Sequence, residues 1–193
     1  MCAIKWSGTW LLAALAAGCA SMTEQPPPVR EIAARESPIR LDARAFTGAE
    51  QFHGTAGPID PRGIRAYVAH YTTPDAVAHV VYVSAGGGYV FRESYGTGGQ
   101  EELGVLAKSL ESRGPPKRRR SGSTVTPLAD FRYHVWELAG TSIESCATFD
   151  GLVGQGQDDR NRKNRRLAGY FCRDSGDLGD LEIKELIASV GLR

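Results

Sequence analysis

The sequence predicts an α+β domain: an antiparallel sheet with two or three helices packed on one face. Three observations lead there. Several short runs are rich in β-branched and aromatic residues, among them Ala76 to Ser84 (AVAHVVYVS) and Phe131 to Leu138 (FRYHVWEL), the composition that strands favour. Other stretches space their apolar residues three and four apart, as one face of a helix does. Glycine at 23 residues and proline at 10 supply the many turns that a mixed domain needs.

Leu41 to Gly57 shows no clear period, and Phe46 and Phe52 are expected at the domain edge. Asp60-Pro61 then reads as a helix start, since aspartate caps and proline suits the first helical position. Ile64, Tyr67, Val68 and Tyr71 follow at i, i+3, i+4 and i+7. The favoured reading is a helix. A strand from Arg65 to Thr72 competes with it, and either element ends before Pro74.

Ala76 to Ser84 reads as a strand whose near-continuous valines suggest cover on both faces. Gly86 to Gly88 would turn the chain into a second strand at Tyr89 to Phe91, making a hairpin. The glycines lack the following Lys-Ser/Thr of a phosphate loop. Gln100 to Arg113 predicts a helix with Leu103, Leu106, Ala107 and Leu110 on one face. Gly114-Pro115-Pro116 stops it.

Lys117, Arg118, Arg119 and Arg120 form a basic run that reads as a solvated loop, with contact to an anionic surface as its functional alternative. Phe131 to Leu138 alternates: Phe131, Tyr133 and Val135 point one way, Arg132, His134, Trp136 and Leu138 the other. After a turn at Ala139 to Ser142, strands are expected at Glu144 to Phe149 and Leu167 to Cys172. The intervening GQGQDDRNRKNRR is too polar to bury and reads as a second basic loop. Asp180 opens a final helix with Leu181, Ile183, Leu186, Ile187 and Val190 apolar, and Gly191 as its stop. The preceding DSGDLGDLE lacks the order of a calcium loop.

The amino end is MCAIKWSGTWLLAALAAGC. Lys5 gives a positive start, Trp10 to Ala17 an apolar stretch, and small residues lead directly to Cys19. The stretch fits a signal peptide and is too short to span a bilayer, which takes roughly 20 apolar residues. It resembles the bacterial lipobox, with Ala17 and Gly18 at the small positions and Ala16 where leucine is preferred. The resemblance covers the amino end alone. It implies lipidation of Cys19, cleavage before it, and an outer-membrane destination suggested by Ala20 and Ser21. The expected organisation is therefore a signal peptide over residues 1–18, a tether over 19–40 and one globular domain over 41–193. SMTEQPPP after the cysteine reads as a semi-rigid spacer.

The chain carries 23 Lys plus Arg against 22 Asp plus Glu, and removing residues 1–18 takes only Lys5 from that count. A balanced total gives no electrostatic case for nucleic acid. With Cys2 lost and Cys19 acylated, Cys146 and Cys172 remain as an even pair, for which a disulfide is the natural reading and two separate thiols the alternative. Neither lies in a CxxC, and no HExxH, GxSxG or SxxK occurs. No cofactor or metal is expected. The partners expected are membrane lipid through acylated Cys19 and an envelope protein or anionic polymer. The leading functional reading is an envelope lipoprotein facing the periplasm, with a structural or protein-interaction role. The alternatives are an envelope enzyme acting on cell-wall glycan or peptide, and a binder of anionic polymer through its basic loops.

Overall fold

Strand-forming segments dominate the chain even where the residue spacing suggested helix. The computed structural model describes residues 29–60, with only the backbone of 58–60, and residues 64–85, 91, 103–104, 115–141, 143–153, 164–174 and 176–193. The strands are β1 (Val29–Glu31), β2 (Ile39–Leu41), β3 (Glu50–Asp60), β4 (Ile64–Thr72), β5 (Ala76–Ser84), β6 (Lys117–Val125), β7 (Asp130–Glu137), β8 (Ser145–Val153), β9 (Arg165–Arg173) and β10 (Val190–Leu192). Eight of them form one sheet in the order β1-β3-β4-β5-β9-β8-β7-β6, and β10 pairs with β2 in a small second sheet. Every pairing among them is antiparallel. The large sheet is two meanders, β3-β4-β5 and β6-β7-β8-β9, joined along β5 and β9.

This corrects the expected α+β architecture. The antiparallel sheet is present, but among the described residues one α-helix, Asp180–Ala188, replaces the expected two or three. The helix read from Asp60 onward is strand β4. Its helical spacing arose because a strand covered on both faces places Tyr67 and Tyr71 on one side and Ile64 and Val68 on the other. The helix expected at 100–113 lies outside the described residues apart from Leu103 and Gly104, which are helical. The hairpin from β5 to Tyr89–Phe91 is also corrected: β4 occupies one edge of β5 and β9 the other. Pairing begins at Val29 and again at Ile39, inside the stretch read as tether.

Alternation builds the main core on one face of the sheet. Tyr71, Val80, Phe131, Tyr133, Val135, Phe149, Leu167 and Phe171 all point there and are buried. The helix covers them with Ile183, Leu186 and Ile187, assisted by Ile39, Phe46 and Val190. The alternation read in Phe131 to Leu138 is what β7 shows, with Phe131, Tyr133 and Val135 buried in this core. Three aromatic rings of this face lie over glycine partners across the strands: Tyr133 over Gly122, Phe131 over Gly151 and Phe149 over Gly169. At Gly122 and Gly151 a Cβ would run into the ring, and at Gly169 it would meet the His79 backbone carbonyl first and the Phe149 ring next.

Turns follow from residue type. Thr73 donates its amide to Ala76 O at 2.9 Å around Pro74-Asp75, and Thr126 repeats the arrangement with Ala129 O at 3.0 Å around Pro127-Leu128. Gly140 takes φ 72° in the β7–β8 turn, a conformation that favours glycine. The final helix departs in detail from expectation. Gly179, not Asp180, is its N-cap, it ends at Ala188, and Val190 and Gly191 belong to β10.

Candidate functional site: the outer face of the sheet

The opposite face of the sheet holds the chemistry. Cys146 and Cys172 face each other on β8 and β9 and are joined by a disulfide. They sit with Trp136, Leu138, Ile143, Tyr170 and Leu103 in a second buried cluster, against which Val77 packs. The sulfurs are therefore covered by apolar side chains. Their expected pairing is present, and it needed β8 and β9 to be neighbours, which spacing alone does not fix.

Beside this cluster, register aligns one row across seven strands: Phe52, His70, His79, Tyr170, Thr148, His134 and Ser121. His79 stacks on Tyr170 with ring centroids 5.2 Å apart, and His70 meets His79 edge-on at 5.9 Å. Burial, with His70 as a lesser cause, pushes the His79 pKa down to about 4. Burial lowers His70 as well. Both rings are thus neutral at pH 7. Trp136 Nε1–H donates to Thr148 Oγ1 at 2.9 Å, which fixes the middle of the row. Among the described residues no three His, Cys, Asp or Glu side chains converge as a metal site.

At the β6 end of the row, Ser121 Oγ and His134 Nδ1 lie 2.7 Å apart. The His134 pKa is lowered, first by burial and then by the positive charges of Arg118 and Arg132. A serine beside a histidine invites comparison with a nucleophile and its base. A general base here would have to become imidazolium between two guanidiniums, and that charge arrangement opposes the step. Among the described residues no carboxylate binds the His134 ring to offset it.

The basic run predicted as a loop, Lys117 to Arg120, is the first half of edge strand β6. This is a correction, and the cause is the absence of apolar residues from a strand exposed along nearly its whole length. The four cations divide. Arg119 pairs with Glu137. Arg120, after a bulge between Arg118 and Arg120, reaches the start of the helix. It donates to Asp177 at 2.7 Å, to Asp180 at 2.9 Å and to the Leu178 carbonyl. Lys117 and Arg118 remain exposed without a carboxylate among the described residues, as does Arg132 on β7. Asp150 stands opposite Arg132 but takes its hydrogen bond from Arg166 Nε, at 2.6 Å.

Cys19 lies outside the described residues, as does the second basic loop over 154–163; Arg165 and Arg166 of that run belong to β9. Sequence reasoning missed the Ser121–His134–Arg132 grouping. Arg132 and His134 were legible on one face of β7. Ser121 was not, because nothing marked β6 as a strand. Comparison of the chain with protein-family models, curated proteins and solved structures returns no match.

Proposed function

We propose that this chain is an envelope lipoprotein, tethered through Cys19, whose folded part recognises an anionic partner without catalysis. The observation that carries the recognition reading is the pair Arg118 and Arg132: two exposed cations on the outer face of adjacent strands, with no carboxylate partner among the described residues. Strands hold such charges in fixed positions, so the surface meets a partner without first ordering a loop. The tether reading is supported by the sequence of residues 1–28, and the Cys146–Cys172 disulfide suits the oxidising compartment that it implies. Tethering raises the local concentration of the domain near envelope partners without any new contact.

Intact-mass measurement on protein extracted from membranes tests the tether. The expected result is a chain beginning at Cys19 with added acyl mass; an unmodified chain that retains residues 1–18 overturns it. Pull-down on a polyanionic resin across a salt series tests the recognition face. Retention should weaken as salt rises and fall when Arg118 and Arg132 are both changed to Gln.

The Ser121–His134 pair is the observation that favours an envelope hydrolase as a second reading. A fluorophosphonate probe, which labels activated serines, decides between the two. No labelling of Ser121 is expected, and stoichiometric labelling would replace recognition with catalysis.

A further inference from the structure

Four groups line the outer face of β6 and β7. Ser121 and His134 are cross-strand partners 2.7 Å apart at Oγ and Nδ1. Arg118 lies on the Trp136 side of that pair. Arg132, opposite Ser123, lies on its other side. Both guanidiniums are close enough to act on the His134 ring. Whichever of Ser121 and His134 donates in their mutual bond, one further N–H or O–H is left as a donor. The cluster therefore offers two forked cations with a neutral donor between them.

We propose that Arg118, Ser121, Arg132 and His134 form a binding site for a phosphate-class oxyanion, carried as a phosphodiester on an envelope polymer or on a lipid headgroup. The inference rests on the reading that this face meets an anionic partner, and it names the group selected. A guanidinium matches two oxygens of a phosphate side by side. A carboxylate offers about four acceptor sites in one plane, too few for two forks and a third donor, whereas the two anionic oxygens of a phosphodiester stand on a tetrahedral centre and accept from several directions.

The site carries a proton signature. In the free protein His134 is held below its ordinary pKa, first by burial and then by Arg118 and Arg132. A bound phosphodiester neutralises the two arginines, so the His134 pKa rises on binding. Binding then takes up a proton and strengthens as pH falls through the raised value. The other groups facing the ring do not reverse this sign. Thr148 on β8 is neutral, and Asp150 is held by Arg166.

The test uses the full chain and long-chain polyphosphate, whose internal phosphates stay ionised over the whole pH range used. Titration calorimetry at low salt should show binding that weakens roughly tenfold or more in Arg118→Gln and in Arg132→Gln, the loss of one charge-assisted contact. Lys117→Gln on the same strand and Arg35→Gln at the far side of the sheet should cost much less. Equal losses in all four variants would mean that net charge alone is read, and would overturn the site. Should an arginine variant fail to fold, the His134 resonance of the unaltered chain decides: an upward shift in its pKa with polyphosphate supports the site, and no shift overturns it. Phosphatidylglycerol vesicles, compared with neutral ones, identify the source. Arginine-dependent binding to vesicles alone assigns the site to a headgroup, and to polyphosphate alone assigns it to a polymer. A chain without acyl mass that still binds polyphosphate through these arginines removes the tether and keeps the site. An acylated chain that binds neither probe does the reverse.

Discussion

At the residue scale, the histidines give the protein a definite response to acid. His53, His70, His79 and His134 all have pKa values below the ordinary 6.5, and burial is the first cause for each. The unfolded chain therefore binds more protons than the folded one between pH 6.5 and the folded values. The stabilisation is complete above pH 6.5 and is lost as pH falls through that window. For His79, acidification from 6.5 to about 4 amounts to about 3 kcal/mol at most. Urea unfolding at pH 7 and pH 4.5 should show the loss, and His79→Asn should flatten the dependence. An unchanged slope in the variant would remove His79 as its source. His53 adds a related liability: it is buried against Tyr71, and neither of its ring nitrogens has a hydrogen-bond partner.

At the element scale, Arg120 fastens the carboxy-terminal helix to the edge of the sheet. It bridges Asp177, Leu178 and Asp180 from a strand that otherwise contributes little apolar surface to the helix. Arg120→Gln should destabilise the protein by about 1 kcal/mol, discounted because the side chain is one-third exposed, with a smaller difference at high salt. Thermal unfolding at two salt concentrations measures both effects. The bulge that turns Arg120 toward the helix leaves Arg118 on the opposite face, so one basic run is divided between the two faces of the sheet. Such division is invisible in KRRR read as composition. What was legible at this scale had one buried face and a clean period: β7, with Phe131, Tyr133 and Val135, and the helix, with Ile183, Leu186 and Ile187. What was not legible had none. β4 is half-covered on both faces, so its apolar residues fell into helical spacing by coincidence. β6 is exposed, so it had no apolar period at all. The candidate site inherits that gap, because half of it stands on β6.

At the scale of the whole molecule, the disulfide lies within the second meander, bonding two strands that are already neighbours. It limits the unfolded chain across a separation of 26 residues, an effect worth about 3 kcal/mol by loop entropy. Reduction, or Cys146→Ala with Cys172→Ala, should lower stability by that order in urea unfolding while leaving the sheet intact by circular dichroism. Loss of strand signal in the double variant under native conditions would show that the crosslink is a condition of folding. The antiparallel sheet was readable from the strand content of the last third of the chain, and the pairing of the cysteines from their being an even pair outside any CxxC. Its size was not, because β3 and β6 carry no local pattern and their places are set by their neighbours.

The seam between the two meanders has a consequence for biogenesis. A chain synthesised from its amino end delivers β3, β4 and β5 first. Until Arg165–Arg173 follows, Ala76–Ser84 has β4 on one side and nothing from its permanent neighbour on the other. During that interval a valine-rich strand presents unpaired amides and carbonyls to any other unfinished chain nearby. The nascent protein should therefore depend on a holding chaperone, and truncation before Arg165 should raise its tendency to aggregate above that of the full chain.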